Sequence, residues 1–138
     1  MSILSRLRGH LLTATTSPAA RRRWRWILAA LVTAVSWLAL SPAPPDGLDT
    51  GWDKLNHAGA FAVLTVVSIF AFARSQRNLW RLLVGLLCYG AAIEVAQSFT
   101  PTRSAEWGDL LADLIGVAAG AMLATLIDRV AGKGSRSD

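Results

Sequence analysis

The chain has 138 residues, of which 53% are hydrophobic and only 17% are charged, and its formal net charge is +5. Soluble domains carry about 25% charged residues, and the core of a soluble domain of this length cannot bury so much apolar surface. The composition therefore excludes an ordinary water-soluble domain. The basic residues do not indicate nucleic-acid binding, because they lie between apolar segments and form no single patch.

Four apolar segments follow one another along the chain, and each approaches the length of about 20 residues that a helix needs to cross a bilayer. They are residues 24–40, 55–73, 79–99 and 110–127. The sequence therefore predicts an all-α fold, a four-helix transmembrane bundle. We divide the chain into a basic N-terminal segment (1–23), a transmembrane domain (24–128) and a C-terminal tail (129–138).

The distribution of basic residues predicts the orientation of this bundle. Twelve of the 14 Lys and Arg residues lie before or at the start of the first span, between the second and third spans or at the start of the third, or after the fourth, and the two exceptions are Lys54 and Arg103. Because short basic loops remain on the cytoplasmic side, we predict that both termini are cytoplasmic.

Two alternatives concern the N-terminal region. The first span has the basic start and apolar stretch of a cleaved secretory signal peptide. The long basic segment before this span and the prolines after it favour an uncleaved span. The intact mass of the purified protein distinguishes a cleaved chain from an uncleaved one. Residues 1–20 fit either an amphipathic helix on the lipid surface or a cytoplasmic tail.

Ionisable and amide side chains gather at the predicted outer ends of three spans, although such groups are costly within a bilayer and commonly have a function. The set comprises Asp53, Lys54, His57, Glu94, Gln97, Arg103, Asp109 and Asp113. Spacings of three or four residues place three pairs on shared helical faces: Asp53 with His57, Glu94 with Gln97, and Asp109 with Asp113. We predict that this set forms a ligand-binding site, and that Gly90, Gly116 and Gly120 allow the helices that carry it to pack closely.

Several kinds of chemistry are open to this set. A network of ion pairs that only holds the helices together is the simplest, but four carboxylates against two basic residues favour a further role. His57 is a candidate acid/base, and Glu94 and Asp109 are candidate catalytic partners. His57 with Asp53, Asp109 or Asp113 could also hold a divalent cation.

No H-E-x-x-H motif or comparable signature supports a metal, so we predict neither a metal nor another cofactor. The single cysteine, Cys88, lies in an apolar run and can form no intramolecular disulfide. We predict that it is a buried packing residue.

Three motifs resemble the signatures of the VanZ-like family. The first is Asp53-Lys54-x-x-His57 with Phe61, the second is Gly90-x-x-x-Glu94-x-x-Gln97-x-Phe99-x-Pro101-x-Arg103, and the third is Trp107-x-Asp109-x-x-x-Asp113-x-x-Gly116-x-x-x-Gly120. Together they cover about half of the chain. The family usually has tyrosine where this chain has Phe61 and asparagine where it has Asp113.

The resemblance implies a small polytopic protein of the bacterial inner membrane, in a family whose namesake is associated with low-level resistance to the glycopeptide teicoplanin. We expect an accessory factor of the cell envelope, more readily than an enzyme, that binds a lipid-linked precursor or a glycopeptide through Lys54 and Arg103. Membrane lipids are the expected partners, nucleic acid is not, and the glycine faces permit a homo-oligomer.

Two other functions remain as alternatives. One is a membrane enzyme that acts on a lipid-phosphate headgroup with His57 as acid/base. The other is a transporter, which is disfavoured because the inner halves of the spans have almost no polar groups beyond Ser68 and Thr125.

Overall fold

The computed structural model describes residues 17–42, 53–72, 75–100 and 106–132. Within these ranges the chain forms four helices and no strand: α1 (Pro18–Leu40), α2 (Asp53–Phe72), α3 (Gln76–Gln97) and α4 (Trp107–Gly132). All four are long and apolar enough to cross a bilayer. The predicted all-α bundle of four transmembrane helices is confirmed.

Two of the helices begin at a serine cap that lies before the apolar segment. α1 starts well before residue 24, because the Ser17 hydroxyl accepts a hydrogen bond from the Ala20 N–H at 3.1 Å and Pro18 occupies the first turn. α3 starts in the same way, since Ser75 accepts from the Asn78 N–H at 3.3 Å. Hydropathy identified the apolar part of each helix, whereas the capped turns extend beyond it.

α2 is the central helix of the bundle and packs most extensively against α4, with α1 on another side. Phe61 and Leu64 of α2 are fully buried and form a core with Leu86 and Val117. Large apolar side chains on the outer surface stay exposed, as a lipid-facing surface requires. Cys88 is also exposed, so its predicted burial is wrong: it lies on the outer face of α3.

Two glycines of α4 lie directly against the backbone of α2. A Cβ atom on Gly116 would collide with the Ala58 carbonyl oxygen, and one on Gly120 would collide with the Ala62 carbonyl oxygen. Because only a residue without a side chain permits this approach, the two glycines set the distance between α2 and α4.

Hydrogen bonds from two α3 side chains attach α1 to the rest of the bundle. The Tyr89 hydroxyl donates to the Val32 carbonyl at 3.2 Å and lies 2.8 Å from the Ser36 hydroxyl. Since Tyr89 has one proton to donate, Ser36 is the donor of the second bond. Nearer the end of α3, the Gln97 amide nitrogen donates to the Ala39 carbonyl at 3.0 Å.

Tyr89→Phe tests this attachment. The substitution keeps the ring beside Phe61, where the ring centroids are 5.9 Å apart, but removes both hydrogen bonds to α1. We expect the free energy of unfolding in detergent to fall by about 0.5–1.5 kcal/mol, measured by thermal or denaturant unfolding. Ser98→Ala is the control, because that hydroxyl bonds only within its own turn, to the Val95 carbonyl. Equal stability of the two variants would contradict the attachment.

Candidate functional site

Six ionisable side chains, four of them largely buried, lie at the end of the bundle where α2 and α4 begin and where α1 and α3 end. We call this set the polar centre; it consists of Lys54, His57, Glu94, Glu106, Asp109 and Asp113. Three of its carboxylates are almost inaccessible, since Glu94, Asp109 and Asp113 are 8%, 2% and 0% exposed. Burial of this kind is costly unless each group has a partner of suitable charge.

The innermost contact of the polar centre joins α2 to α4. His57 Nδ1 lies 2.9 Å from Asp113 Oδ1, and the two side chains are 10% and 0% exposed. Gly90 of α3 makes room for this pair, because a Cβ atom there would collide with the Asp113 carboxylate. A carboxylate oxygen accepts and an imidazole N–H donates, so we assign Nδ1 of His57 as the donor of this hydrogen bond.

A second contact joins the end of α3 to the start of α4. Glu94 Oε2 accepts a hydrogen bond from the Glu106 backbone N–H at 3.0 Å. The other oxygen, Oε1, is buried and has no hydrogen-bond partner among the described residues.

Lys54 lies at the rim of the polar centre. Its Nζ is 2.9 Å from Glu106 Oε2 and 3.7 Å from Asp109 Oδ1. The pair with Glu106 is weak, because both side chains are about half exposed to solvent. The contact with Asp109 has more consequence, since Lys54 supplies positive charge to a buried carboxylate.

The structure brings together most of the residues that the sequence predicted for this site. Lys54, His57, Glu94, Asp109 and Asp113 lie in the polar centre. Gln97 is buried but bonds to α1, which is a structural contact. Asp53 is the first residue of α2, but its side chain lies outside the described residues, as does Arg103.

Glu106 was not among the residues predicted from the sequence, yet it supplies both the amide for Glu94 and a carboxylate for Lys54. Its position carried a signal: an acidic residue just before the first turn of a helix favours the helix N-terminus. The Asp109 N–H indeed donates to the Glu106 carbonyl at 3.0 Å, at the start of α4.

Three side chains of the polar centre bring potential metal-ligand atoms close together. His57, Glu94 and Asp109 each offer one ligand atom, and these atoms lie within 4.8 Å of one another. The combination differs from those that the sequence suggested, because it includes Glu94 and does not include Asp113. The three ligands come from three different helices.

A groove opens beside the polar centre, between α3 and α4. Its volume is about 320 Å³, and it is lined by Ala91, Glu94, Val95, Ser98, Glu106, Trp107 and Leu110. The walls are mostly apolar, while the two glutamates place carboxylates at its border with the polar centre.

Taken together, four apolar helices and a buried ionisable centre at one end define a multi-pass α-helical membrane protein. A family model described as VanZ/LLP1 matches residues 10–128, and the chain belongs to this family. The match confirms the VanZ-like resemblance and extends it over α1, which the motifs did not cover. The search of curated proteins and that of solved structures each found no match.

Proposed function

We propose that this VanZ-family protein is an accessory factor of the bacterial cell envelope that binds an amphiphilic, anionic ligand at the polar centre. The observation that carries the proposal is the groove between α3 and α4, which has apolar walls and ends at ionisable side chains. A lipid-linked envelope precursor or a glycopeptide with a lipid chain likewise combines an apolar chain with a polar, anionic group.

The groove suits the junction between a lipid chain and its headgroup. Ala91, Val95 and Leu110 offer apolar contact to a chain, and Trp107, which is 88% exposed, is typical of a membrane interface. The volume of about 320 Å³ is at the lower limit of common ligand sites, so we expect only this junction to be enclosed.

The anionic part of the ligand would meet Lys54 and Arg103. Lys54 already lies beside Glu106 at the edge of the groove. Arg103 belongs to the segment between α3 and α4, and its guanidinium group suits bidentate contact with phosphate or carboxylate. With the termini cytoplasmic, as the basic residues predict, this site would face the outer leaflet of the inner membrane.

Binding of a polyprenyl phosphate, compared with the uncharged polyprenol, tests the proposal. We expect the purified protein to retain the phosphate in native mass spectra, and Lys54→Ala and Arg103→Ala each to weaken its binding about tenfold, as the loss of one charge-assisted contact predicts. Arg129→Ala, at the opposite end of α4, is the control and should bind as the wild type does. Unchanged binding by both site variants would refute the proposed role.

The contact between His57 and Asp113 favours a second function, that of a membrane enzyme acting on a lipid phosphate. A carboxylate 2.9 Å from Nδ1 orients the imidazole, and catalysis would then use Nε2 to exchange a proton with substrate or water. In this case the protein would hydrolyse or transfer the phosphate group, and His57→Ala would abolish turnover while leaving binding intact. Recovery of intact lipid phosphates after incubation with the wild type would argue against catalysis.

A further inference from the structure

We propose that His57, Glu94 and Asp109 bind one divalent transition-metal ion of the zinc class. Their ligand atoms already lie within 4.8 Å of one another. A tetrahedral ion with bonds of about 2.1 Å holds its ligand atoms about 3.4 Å apart, so side-chain movements of about 1 Å close the site. The ion would join α2, α3 and α4 at the polar end of the bundle.

Asp113 holds His57 in the orientation that a metal ligand requires. Histidines that bind metals commonly donate their second ring N–H to a carboxylate, which selects the tautomer and orients the ring. Here Nδ1 donates to Asp113 Oδ1 at 2.9 Å, and Asp113 is fully buried. With the proton on Nδ1, the lone pair of Nε2 is the one that a metal would take. Asp113 is thus a positioning residue for the proposed site.

Glu94 provides an independent observation that points to a bound cation. Its side chain is more than nine-tenths buried, and Oε2 already accepts from the Glu106 N–H. Oε1 has no hydrogen-bond partner among the described residues, although it is inaccessible to solvent. Buried carboxylate oxygens normally have a hydrogen-bond donor or a metal as partner, and a metal at this site would satisfy Oε1.

The charge of the polar centre also favours a dication. Among the residues that the structure describes there, the carboxylates are Glu94, Glu106, Asp109 and Asp113, and the one permanent cation is Lys54. Lys54 is half exposed and divided between Glu106 and Asp109, so it does not balance the negative charge at Glu94. A divalent ion between His57, Glu94 and Asp109 would offset the repulsion among these carboxylates.

The donor set indicates the class of metal. Mg²⁺ and Ca²⁺ prefer sites built only from oxygen ligands, whereas one imidazole with two carboxylates suits Zn²⁺ and its first-row neighbours. Three protein ligands leave at least one position for water or another ligand, as in sites where the metal also contacts a bound molecule. If the proposed ligand binding holds, that position could receive the anionic headgroup, but the metal site does not depend on it.

Zinc binding to the full-length, untagged protein tests the inference. The protein is stripped with a chelator in detergent and titrated with Zn²⁺ against a colorimetric chelator, with Mg²⁺ and Ca²⁺ in parallel. We expect one Zn²⁺ per chain, at least about 100-fold weaker binding in Glu94→Gln and His57→Ala, and about 10–100-fold weaker binding in Asp113→Ala. Glutamine has the shape of glutamate and keeps an oxygen acceptor for the Glu106 N–H, so we expect Glu94→Gln to fold. Size-exclusion chromatography checks that it does.

Two controls separate the site from incidental binding. His10→Ala removes the other histidine of the chain, and Asp128→Asn removes a carboxylate at the far end of α4; both should bind Zn²⁺ as the wild type does. Visible absorption of the Co²⁺-loaded protein should change in Glu94→Gln and not in the controls. Absence of stoichiometric Zn²⁺ binding, or equal binding by folded Glu94→Gln, would overturn the inference. Neither result depends on lipid binding, so the proposed function is tested separately.

Discussion

Gly116→Ala is expected to destabilise the bundle strongly, although it adds only one methyl group. The new Cβ would collide with the Ala58 carbonyl oxygen and would lie 3.0 Å from the Ala58 carbonyl carbon and Cα. These are backbone atoms, so they can yield only if α2 moves away from α4. Overpacking of this kind costs about 1–3 kcal/mol, and a rigid backbone neighbour favours the upper part of that range.

Gly59→Ala is the matched control, since a Cβ atom at Gly59 has no neighbour within 4 Å. Both substitutions replace glycine by a better helix former, a gain of about 1 kcal/mol that cancels in the comparison. Thermal unfolding in detergent should therefore show a lower midpoint for Gly116→Ala and an unchanged or higher one for Gly59→Ala. Equal midpoints would show that α4 does not rest on α2 at Gly116.

The same contact has a consequence for the polar centre. Ala58 follows His57 in α2, and Gly116 lies one turn beyond Asp113 in α4, so the close approach of the two backbones lies directly beside the histidine–carboxylate pair. If the helices separate at Gly116, the distance of 2.9 Å between His57 and Asp113 cannot be kept. We therefore expect Gly116→Ala to disturb the site as well as the fold.

Asp113→Ala is the second substitution for which we expect a large effect. It removes the acceptor of a hydrogen bond from a nearly buried His57 and leaves a void where the carboxylate lay. Loss of a buried hydrogen bond to a charged group costs about 1.5–3 kcal/mol, and the free energy of unfolding should fall by this amount. Asp113→Asn retains a carbonyl acceptor for Nδ1–H and should stay within about 1 kcal/mol of the wild type.

The asparagine variant has the residue that the VanZ-like family usually carries at this position. Its stability therefore also tests whether the site requires a carboxylate at Asp113 or only a hydrogen-bond acceptor.

A measurement on the imidazole itself separates the orientation of the His57 ring from the stability of the protein. In a His10→Ala background His57 is the only histidine, and ¹⁵N spectra of the metal-free protein report which ring nitrogen carries the proton. We expect Nδ1 protonation in wild type and Asp113→Asn, and a mixed tautomer in Asp113→Ala. A mixed tautomer in the wild type would contradict the assigned hydrogen bond.

Metal binding and acid/base catalysis make opposite demands on His57. An imidazole whose Nε2 is bound to a metal has no lone pair with which to accept a proton, so it cannot serve as a general base at the same time. If Zn²⁺ binds and lipid phosphates stay intact, His57 is a ligand. If turnover requires His57 in metal-free protein, it is an acid/base.

Local features of the sequence were enough to predict the four transmembrane helices and the clustering of ionisable groups at one end. Hydropathy depends only on neighbouring residues, and helical spacing places Glu94 and the pair Asp109 and Asp113 near the helix ends whatever the packing. The family motifs covered the same residues. The helix boundaries were less accurate, because caps such as Ser17 act outside the apolar stretch.

The partners of the polar residues, in contrast, depended on tertiary structure. Nothing in the spacing of α2 shows that His57 contacts Asp113, that Glu94 accepts from the Glu106 backbone, or that Gln97 bonds to α1. Those contacts depend on the axial position of each helix relative to its neighbours. Backbone contacts such as that of Gly116 with Ala58 fix this axial position. They join residues that are far apart in the chain, so they leave no periodic pattern in the sequence.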